Sequence, residues 1–231
     1  MYVKFFKRII DFIISLIALL ILSPVLAVLV VIGAIAMRGN PFFVQPRPGI
    51  ISKKTGEEKI FKLVKFRTMS NAKDKDGNLL PDEKRLNKYG RFLRSTSLDE
   101  LPELLNILKG DMSIVGPRPQ LVRDMVFMTA DQRKRHCVLP GLTGLAQCNG
   151  RNNMSWEQKF MYDMEYIKKI TLFGDLKIIM KTIVKVCQRE GIAEEGMATS
   201  EDLGDYLLHK HLIVEEYYFQ KQSEALEMIN L

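Results

Sequence analysis

Two acids side by side, Asp99 and Glu100, lie in the run Ser95–Pro119, with Arg94 just before it and Arg118 near its end. Carboxylates hold divalent cations, and guanidinium groups grip phosphate oxygens two at a time. Arg118 stands between Pro117 and Pro119 in a Gly-Pro-Arg-Pro loop. Proline fixes its own backbone angle and pushes the residue before it towards extended geometry, so this guanidinium has a stiff mount. An acidic pair at a helix start is more often only a cap that answers the helix dipole. The flanking arginines change that reading to a phosphate site, with a divalent metal bridging carboxylate and phosphate oxygens.

The element that must carry these acids is legible as a helix. Leu98, Leu101, Leu104, Leu105 and Leu108 recur at helical spacing, which predicts one buried face. Ser97 with Glu100 three residues later is a capping-box pattern, and Gly110 after Lys109 is a natural stop. Pro102 suits the first helical position better than the fifth, so a start near Leu101 with the acids just ahead is equally open. Either way they lie at a helix entrance. Asn87–Leu93 reads as a short helix delivering Arg94 to the pair, and Asn71–Lys84, polar and without apolar period, as a loop.

Upstream, Pro41–Gln45 reads as a short strand and Pro46-Arg47-Pro48-Gly49 as a turn with a second proline-bracketed arginine. Lys54-Thr-Gly-Glu-Glu predicts a hairpin turn. Ile60–Phe66 is then a strand or short amphipathic element, leading into Lys65-Phe66-Arg67-Thr68-Met69. Lys65 and Arg67 are either solvated charges or part of the phosphate-binding ring.

Downstream, Asp131–His136 reads as a charged helix end near solvent or the membrane surface. The glycines and prolines of Pro140–Gly150 suit a compact loop whose amides can approach a ligand. Ser155 with Gln158 opens a helix through about Ile170 that carries Tyr162, Asp163 and Tyr166. Asp175–Glu190 is amphipathic: Leu176, Ile179, Ile183, Val186 and Cys187 face one way, with Lys177, Lys181 and Lys185 at intervals of four, and Gly191 ends it. Such a lysine row is a solvated face or lies on anionic lipid. One further helix is expected over about 200–229.

Residues Phe12–Met37 carry no charge, enough to span a bilayer core of about 30 Å as a helix. Basic residues flank the run on both sides (Lys4, Lys7, Arg8, then Arg38 and a basic domain), so a straight span exports one of them against the positive-inside preference. Ser23-Pro24 lies almost midway, where proline removes a donor and kinks a helix. A helix bent there enters and leaves on one face as a re-entrant hairpin. Its freed backbone groups then need Ser23 or protein packing. An ordinary kinked transmembrane helix stays open, and Asp11 is tolerable at the interface in either case.

The chain has 231 residues, a formal net charge of +7 and three cysteines without paired spacing, so no disulfide framework or zinc site is expected. The three histidines, His136, His209 and His211, form no metal motif. The basic excess fits phosphorylated substrates or anionic lipid, but aromatic and basic residues are not interleaved as nucleic-acid stacking platforms require.

With those residues in hand, the chain resembles the bacterial sugar transferases, specifically the small monotopic phosphoglycosyl transferases of PglC type that serve protein N-glycosylation. The resemblance rests on Phe6-Lys-Arg-Ile-Ile-Asp, Ser23-Pro24, Lys65-Phe-Arg-Thr-Met, Ser97-Leu-Asp-Glu-Leu-Pro-Glu-Leu-Leu-Asn, Gly110-Asp-Met-Ser-Ile-Val-Gly-Pro-Arg-Pro and Pro140-Gly-Leu-Thr-Gly-Leu-Ala-Gln. It covers about residues 1–198. It implies an α/β, mostly α, monotopic membrane protein at the cytoplasmic face of the inner membrane, both termini cytoplasmic. Residues 1–39 form the re-entrant hairpin broken at Ser23 and Pro24; 40–198 form the catalytic domain with amphipathic interfacial helices; 199–231 form an extension of unknown role. The implied reaction moves a phosphosugar from a UDP-sugar to undecaprenyl phosphate with Mg²⁺ and releases UMP. UDP-N,N′-diacetylbacillosamine is the first donor expected, and UDP-GlcNAc or another acetamido sugar the second. By the same resemblance Asp99 is the nucleophile and a metal neighbour, and Glu100 a magnesium ligand. Lys65, Arg94 and Arg118 hold phosphates, and Asp163 and Asp175 are further acidic positions of the substrate site. A homodimer or association with other glycosylation enzymes is compatible with it. The contrasting class, a membrane-tethered binding or scaffold protein without catalysis, leaves the acids beside Arg118 unexplained.

Overall fold

The apolar amino-terminal run forms one long helix, α1 (Lys7–Ala36), entered through a π-helical turn at Tyr2–Phe6. In the structure, a computed structural model that describes residues 2–150, 154–188 and 201–230, α1 continues through Ser23-Pro24 without interruption. Pro24 has no N–H to give the Leu20 carbonyl. The Ser23 hydroxyl donates to that carbonyl at 2.8 Å, which is the compensation expected at this step. By length and composition α1 is able to cross a membrane, and most of its apolar side chains, Ile17, Leu20, Ile21 and Ile35 among them, are exposed.

Its buried stripe binds the rest of the protein at both ends. Near the start, Arg8 donates to the Ile107 and Leu108 carbonyls at 2.5 and 2.8 Å, capping the open carboxyl end of α4 (Glu103–Lys109). Asp11 is buried and accepts from Ser113 Oγ at 2.6 Å and the Ile114 amide at 3.1 Å. Near the end, Tyr89 Oη donates to the Leu29 carbonyl at 2.8 Å, and Asn87 Nδ2 to the Ala36 carbonyl at 3.1 Å.

Strands β1 (Phe42–Ile51) and β2 (Glu58–Phe66) pair antiparallel, with Phe42 opposite Phe66 and Arg47 opposite Phe61. Pro46–Gly49, read from sequence as a turn, lies inside β1. A two-stranded sheet consists only of edges, where a missing N–H is tolerated. The turn is at Ser52–Glu57, with Gly56 at φ 74°. The stretch after β2 holds isolated bridges Met69–Leu86 and Lys73–Leu79 and a single turn, α2 (Asp82–Arg85). It leads to α3 (Lys88–Thr96), capped by Asn87 accepting from the Gly90 amide at 2.8 Å.

After α4 a short strand, β3 (Ser113–Val115), pairs parallel with β4 (Gly141–Thr143). Between them run α5 (Val122–Met125), α6 (Ala130–Arg133) and a 3₁₀ turn, Lys134–Cys137. Asp131 and Lys134 lie exposed at this helix end as expected, but Arg135 and His136 are buried. Cys137 and Cys148 are free. Beyond α7 (Leu145–Asn149), α8 (Trp156–Lys168) begins on the expected Ser155–Gln158 capping box. In α9 (Leu172–Gln188), Ile178 is buried, while Phe173, Leu176, Met180, Ile183 and Val184 are exposed beside Lys177 and Lys181. The Cys187 side chain and Gly191 lie outside the described residues.

The single helix expected over 200–229 is two, α10 (Leu203–His209) and α11 (Glu215–Asn230), separated near His211 at φ 55°. Leu203 and Ala225 join Val122, Met125, Phe127, Trp156 and Phe160 in one buried cluster. A second cluster joins α4, β2 and α1 through Leu104, Ile107, Phe61, Leu63 and Leu19.

Candidate active site

Ser97 adopts a left-handed conformation (φ 56°) and ends α3. Its side chain caps nothing, so the expected Ser97–Glu100 box does not form. The chain instead makes a 3₁₀ turn, Leu98–Glu100, and enters α4 past Pro102. Asp99 and Glu100 therefore project from the corner between two helices, just ahead of the second. Leu104 and Ile107 bury the inner face of α4 and Gly110 (φ 90°) ends it, but Leu105, expected on that face, is exposed.

The Asn106 side chain, 1 % exposed, sets this corner against β2. It accepts from the Val64 amide at 3.1 Å and donates to the Lys62 carbonyl at 2.8 Å. That register delivers Lys65 to the acids. Glu100 Oε1 accepts from Lys65 Nζ at 2.9 Å and from Arg118 Nη2 at 2.7 Å, and the same Lys65 nitrogen lies 3.0 Å from Glu103 Oε1. Burial alone would raise Glu100, but the Arg118 and Lys65 charges outweigh it and hold Glu100 far below the usual carboxylate range. Asp99, half-buried, is pushed by burial and then by the Glu100 charge to about 6, against the pull of Lys65, Arg118 and Arg94. Burial pushes Glu103 to about 7, with Lys65 opposing. Neighbouring acids are thus driven apart, one fixed as an anion and one poised near neutrality.

The Arg118 loop is gripped through its backbone. Arg135 Nη2 donates to the Arg118 carbonyl at 2.7 Å, and Arg47 Nη1 to the Pro119 carbonyl at 3.0 Å. The Gly141 amide donates to the Pro117 carbonyl at 2.9 Å, and a Cβ on Gly141 would stand 2.1 Å from the Gly116 nitrogen. The glycines expected to admit a ligand thus admit this loop. The arrangement is an arginine on a rigid loop and a lysine held by two carboxylates around an acidic turn, a frame for phosphate. Residues 2–189 match the bacterial sugar transferase family.

The chain belongs to that family. It is similar to the uncharacterized sugar transferase EpsL of Bacillus subtilis, 45% identical over 195 residues, covering 84% of this chain and 94% of that one. It is 38% identical over 190 residues to a Klebsiella pneumoniae UDP-glucose:undecaprenyl-phosphate glucose-1-phosphate transferase, covering 78% of this chain and 40% of that one. Against an undecaprenyl-phosphate galactose phosphotransferase of Salmonella typhimurium the figures are 33% over 214 residues, 81% and 42%. The chain spans under half the length of those two relatives.

In this sugar transferase the other sequence-predicted residues are placed as follows. Arg94 Nε donates to Thr68 Oγ1 at 3.1 Å, and its charge reaches Asp99. Asp163, buried, pairs with Arg135 at 2.6 Å and so stands behind the Arg118 loop. Asp175, also buried, accepts from Lys7 at 2.6 Å, Tyr2 at 2.8 Å and Tyr166 at 3.0 Å. It joins the entry turn, α1 and α8. Sequence reasoning passed over Glu103 and Asn106. Their signal was two polar residues on an otherwise leucine-lined helix, at positions whose neighbours are buried.

Proposed function

We propose that this sugar transferase moves a phosphosugar from a UDP-sugar to undecaprenyl phosphate and releases UMP. The observation that carries the reading is the half-buried Asp99, poised near neutrality beside a Glu100 clamped by Lys65 and Arg118. Asp99 attacks the sugar-bearing phosphorus, the bond from that phosphorus to the nucleotide oxygen breaks, and UMP departs. The aspartyl phosphosugar is then attacked by an oxygen of the lipid phosphate, which regenerates Asp99. Arg118 and Lys65 offset charge on the transferred group, and their fixed positions supply the orientation such a loose transition state needs.

Among the described residues no group of three or more His, Cys, Asp or Glu is arranged to hold a metal. Mg²⁺ asks for less, since it keeps several waters and takes one or two carboxylates plus substrate phosphates. Glu103, whose buried Oε1 shares the Lys65 nitrogen with Glu100, and the paired acids Asp99 and Glu100 are the donors that fit it here. When bound, Mg²⁺ supplies charge neutralisation for the diphosphate.

Both ends of α1 rest on one body, through Arg8 and Asp11 at one end and Tyr89 and Asn87 at the other. A thirty-residue helix is about 45 Å long, and a straight span places its ends on opposite sides of the bilayer. This supports a helix that dips into the membrane and returns, keeping both termini cytoplasmic and the acids at the level of lipid head groups. A cysteine added ahead of Met1 then stays unreactive towards an impermeant reagent outside intact cells; labelling there overturns the topology.

The donor we propose first is UDP-N,N′-diacetylbacillosamine, with UDP-GlcNAc second, on the motif resemblance. UMP release from a panel of UDP-sugars, including glucose and galactose, with undecaprenyl phosphate tests reaction and donor together. No release from any member defeats the reading; release from another sugar alone corrects the donor.

A further inference from the structure

Lys159 is a cation that the chemistry above leaves unused. Trp156, Lys159, Phe160 and Asp163 recur at spacings of three and four along α8 and share one face. Arg135 fixes where that face points. It pairs with Asp163, lies 5.9 Å over the Phe160 ring and donates to the Arg118 carbonyl. Lys159 Nζ stands 4.5 Å from the centre of the Trp156 ring, whose indole N–H donates to the Glu201 carbonyl at 3.2 Å.

Among the described residues Lys159 forms no ion pair, although Asp124 and Asp163 act on it from nearby. Both acids are already committed. Asp124 accepts from the Leu203 amide at 2.9 Å and the Leu121 amide at 3.0 Å, and Asp163 holds Arg135. Burial, with Arg118 and Arg135 adding repulsion, holds the lysine below its usual range, and burial and Arg118 likewise bring Arg47 down to about 10. Cations held within reach of one another are costly unless an anion fills the space between them.

We propose that Lys159, together with Arg118, forms an anion subsite for the nucleotide phosphate of the donor, holding it as it leaves. This rests on the reaction proposed above. When Asp99 attacks the sugar-bearing phosphorus, the breaking bond leaves its electron pair on the nucleotide's oxygen, so the departing phosphate gains charge. Arg118 serves both phosphates, because one guanidinium nitrogen is on Glu100 and its side chain remains 41% exposed. Lys159 serves only the departing one.

The test needs no turnover. Trp156 is the chain's one tryptophan, and an anion that draws Lys159 from its ring changes its emission. Titrating UMP into the full-length protein in nanodiscs should give a saturable change in wild type, and calorimetric titration, which needs no lysine on the ring, reads UMP and uridine affinity in wild type and variants alike. K159Q should weaken UMP by about tenfold to a hundredfold, and K159R by no more than about threefold. Uridine, lacking the phosphate, should bind wild type and K159Q alike, and K168Q, a change to an exposed lysine of the same helix, should match wild type. Thermal unfolding of K159Q excludes a folding defect. In single turnover K159Q should slow cleavage of the donor to UMP and phosphosugar-enzyme, but not transfer from preformed phosphosugar-enzyme to lipid phosphate. Failure of wild type to bind UMP, or equal UMP affinity in K159Q, overturns the subsite. Wild type that binds UMP through Lys159 but transfers no sugar phosphate overturns the reaction and leaves the subsite standing.

Discussion

Glu100 shares one oxygen between Lys65 and Arg118, on a turn where Asp99 sits near neutrality and Glu103 draws on the same Lys65 nitrogen. Asp175, elsewhere in the same domain, takes donors from Tyr2, Lys7 and Tyr166 and is 3 % exposed. Both are acids among cations. Around Asp175 every donor comes from a different element and all converge on one carboxylate, so the group fastens the entry turn, α1 and α8 together. Around Glu100 three acids share Lys65 and Arg118, with the Arg94 charge also reaching Asp99, and Asp99 and Glu100 keep contact with solvent while Glu103 is buried. A saturated carboxylate is scaffold, and an undersupplied one is free to bind and react.

The sharpest way to break this contrast is Asp99→Asn. Sugar-phosphate transfer should fall by at least about a thousandfold, measured as UMP release, because an amide does not form the acyl phosphate. Stability should move the other way. Asp99 and Glu103 have folded values of about 6 and about 7, above their unfolded 3.8 and 4.5. Their contribution to stability is therefore full below the unfolded values and is lost as pH rises through 6 to 7. Asp99→Asn removes one such loss, so its melting temperature should exceed wild type at pH 8 and match it only below the unfolded value of 3.8. An active Asn variant would remove the nucleophile assigned here.

Asp175→Ala should show the reverse pattern. It leaves Lys7 without its partner in a buried setting, at a cost of about 3–5 kcal/mol, read by denaturant unfolding. Activity per folded molecule should survive better than in Asp99→Asn. Complete loss of turnover in a well-folded Asp175→Ala protein would move this acid from scaffold to substrate site.

Glu58 extends the contrast to pH. Burial would raise it, but hydrogen bonds with His136 at 3.0 Å and with Arg133 bring it down to about 2. A depressed carboxylate stabilises above its unfolded value of 4.5 and loses that contribution as pH falls towards 2. Glu58→Gln should cost about 3 kcal/mol at pH 7 and nothing below pH 2. A variant with the acid limb of wild type would show that other carboxylates carry it.

The reactive corner was more legible in the sequence than the scaffold, for a physical reason. Asp99, Glu100 and Arg118 are neighbours in a stretch where prolines and glycines restrict the chain, so residue type and backbone both speak locally. Lys65 required only the pairing of β2 with α4. Asp175 meets Lys7 across 168 positions, and no pattern in either segment announces it. Glu103 and Lys159 read as ordinary helix charges, and only tertiary packing buries one and sets the other over an indole. Local rules also gave way to context. Ser97 closes α3 in a left-handed conformation instead of opening the next helix, and Pro46 and Pro48 sit in an edge strand where they suggested a turn.

The smallest expected effect concerns the membrane helix, where the polar groups are neutral and the same accounting holds. Pro24 orphans the Leu20 carbonyl, and Ser23 returns a donor to it from within the same turn. Ser23→Ala removes that donor where water is scarce, which should cost about 1 kcal/mol. Pro24→Ala restores the backbone donor, so Ser23 becomes dispensable in that background. The double variant should therefore lose less than the serine change alone, measured by thermal unfolding in nanodiscs. If Ser23→Ala costs the same with and without Pro24, the hydroxyl is serving something other than the carbonyl the proline left behind.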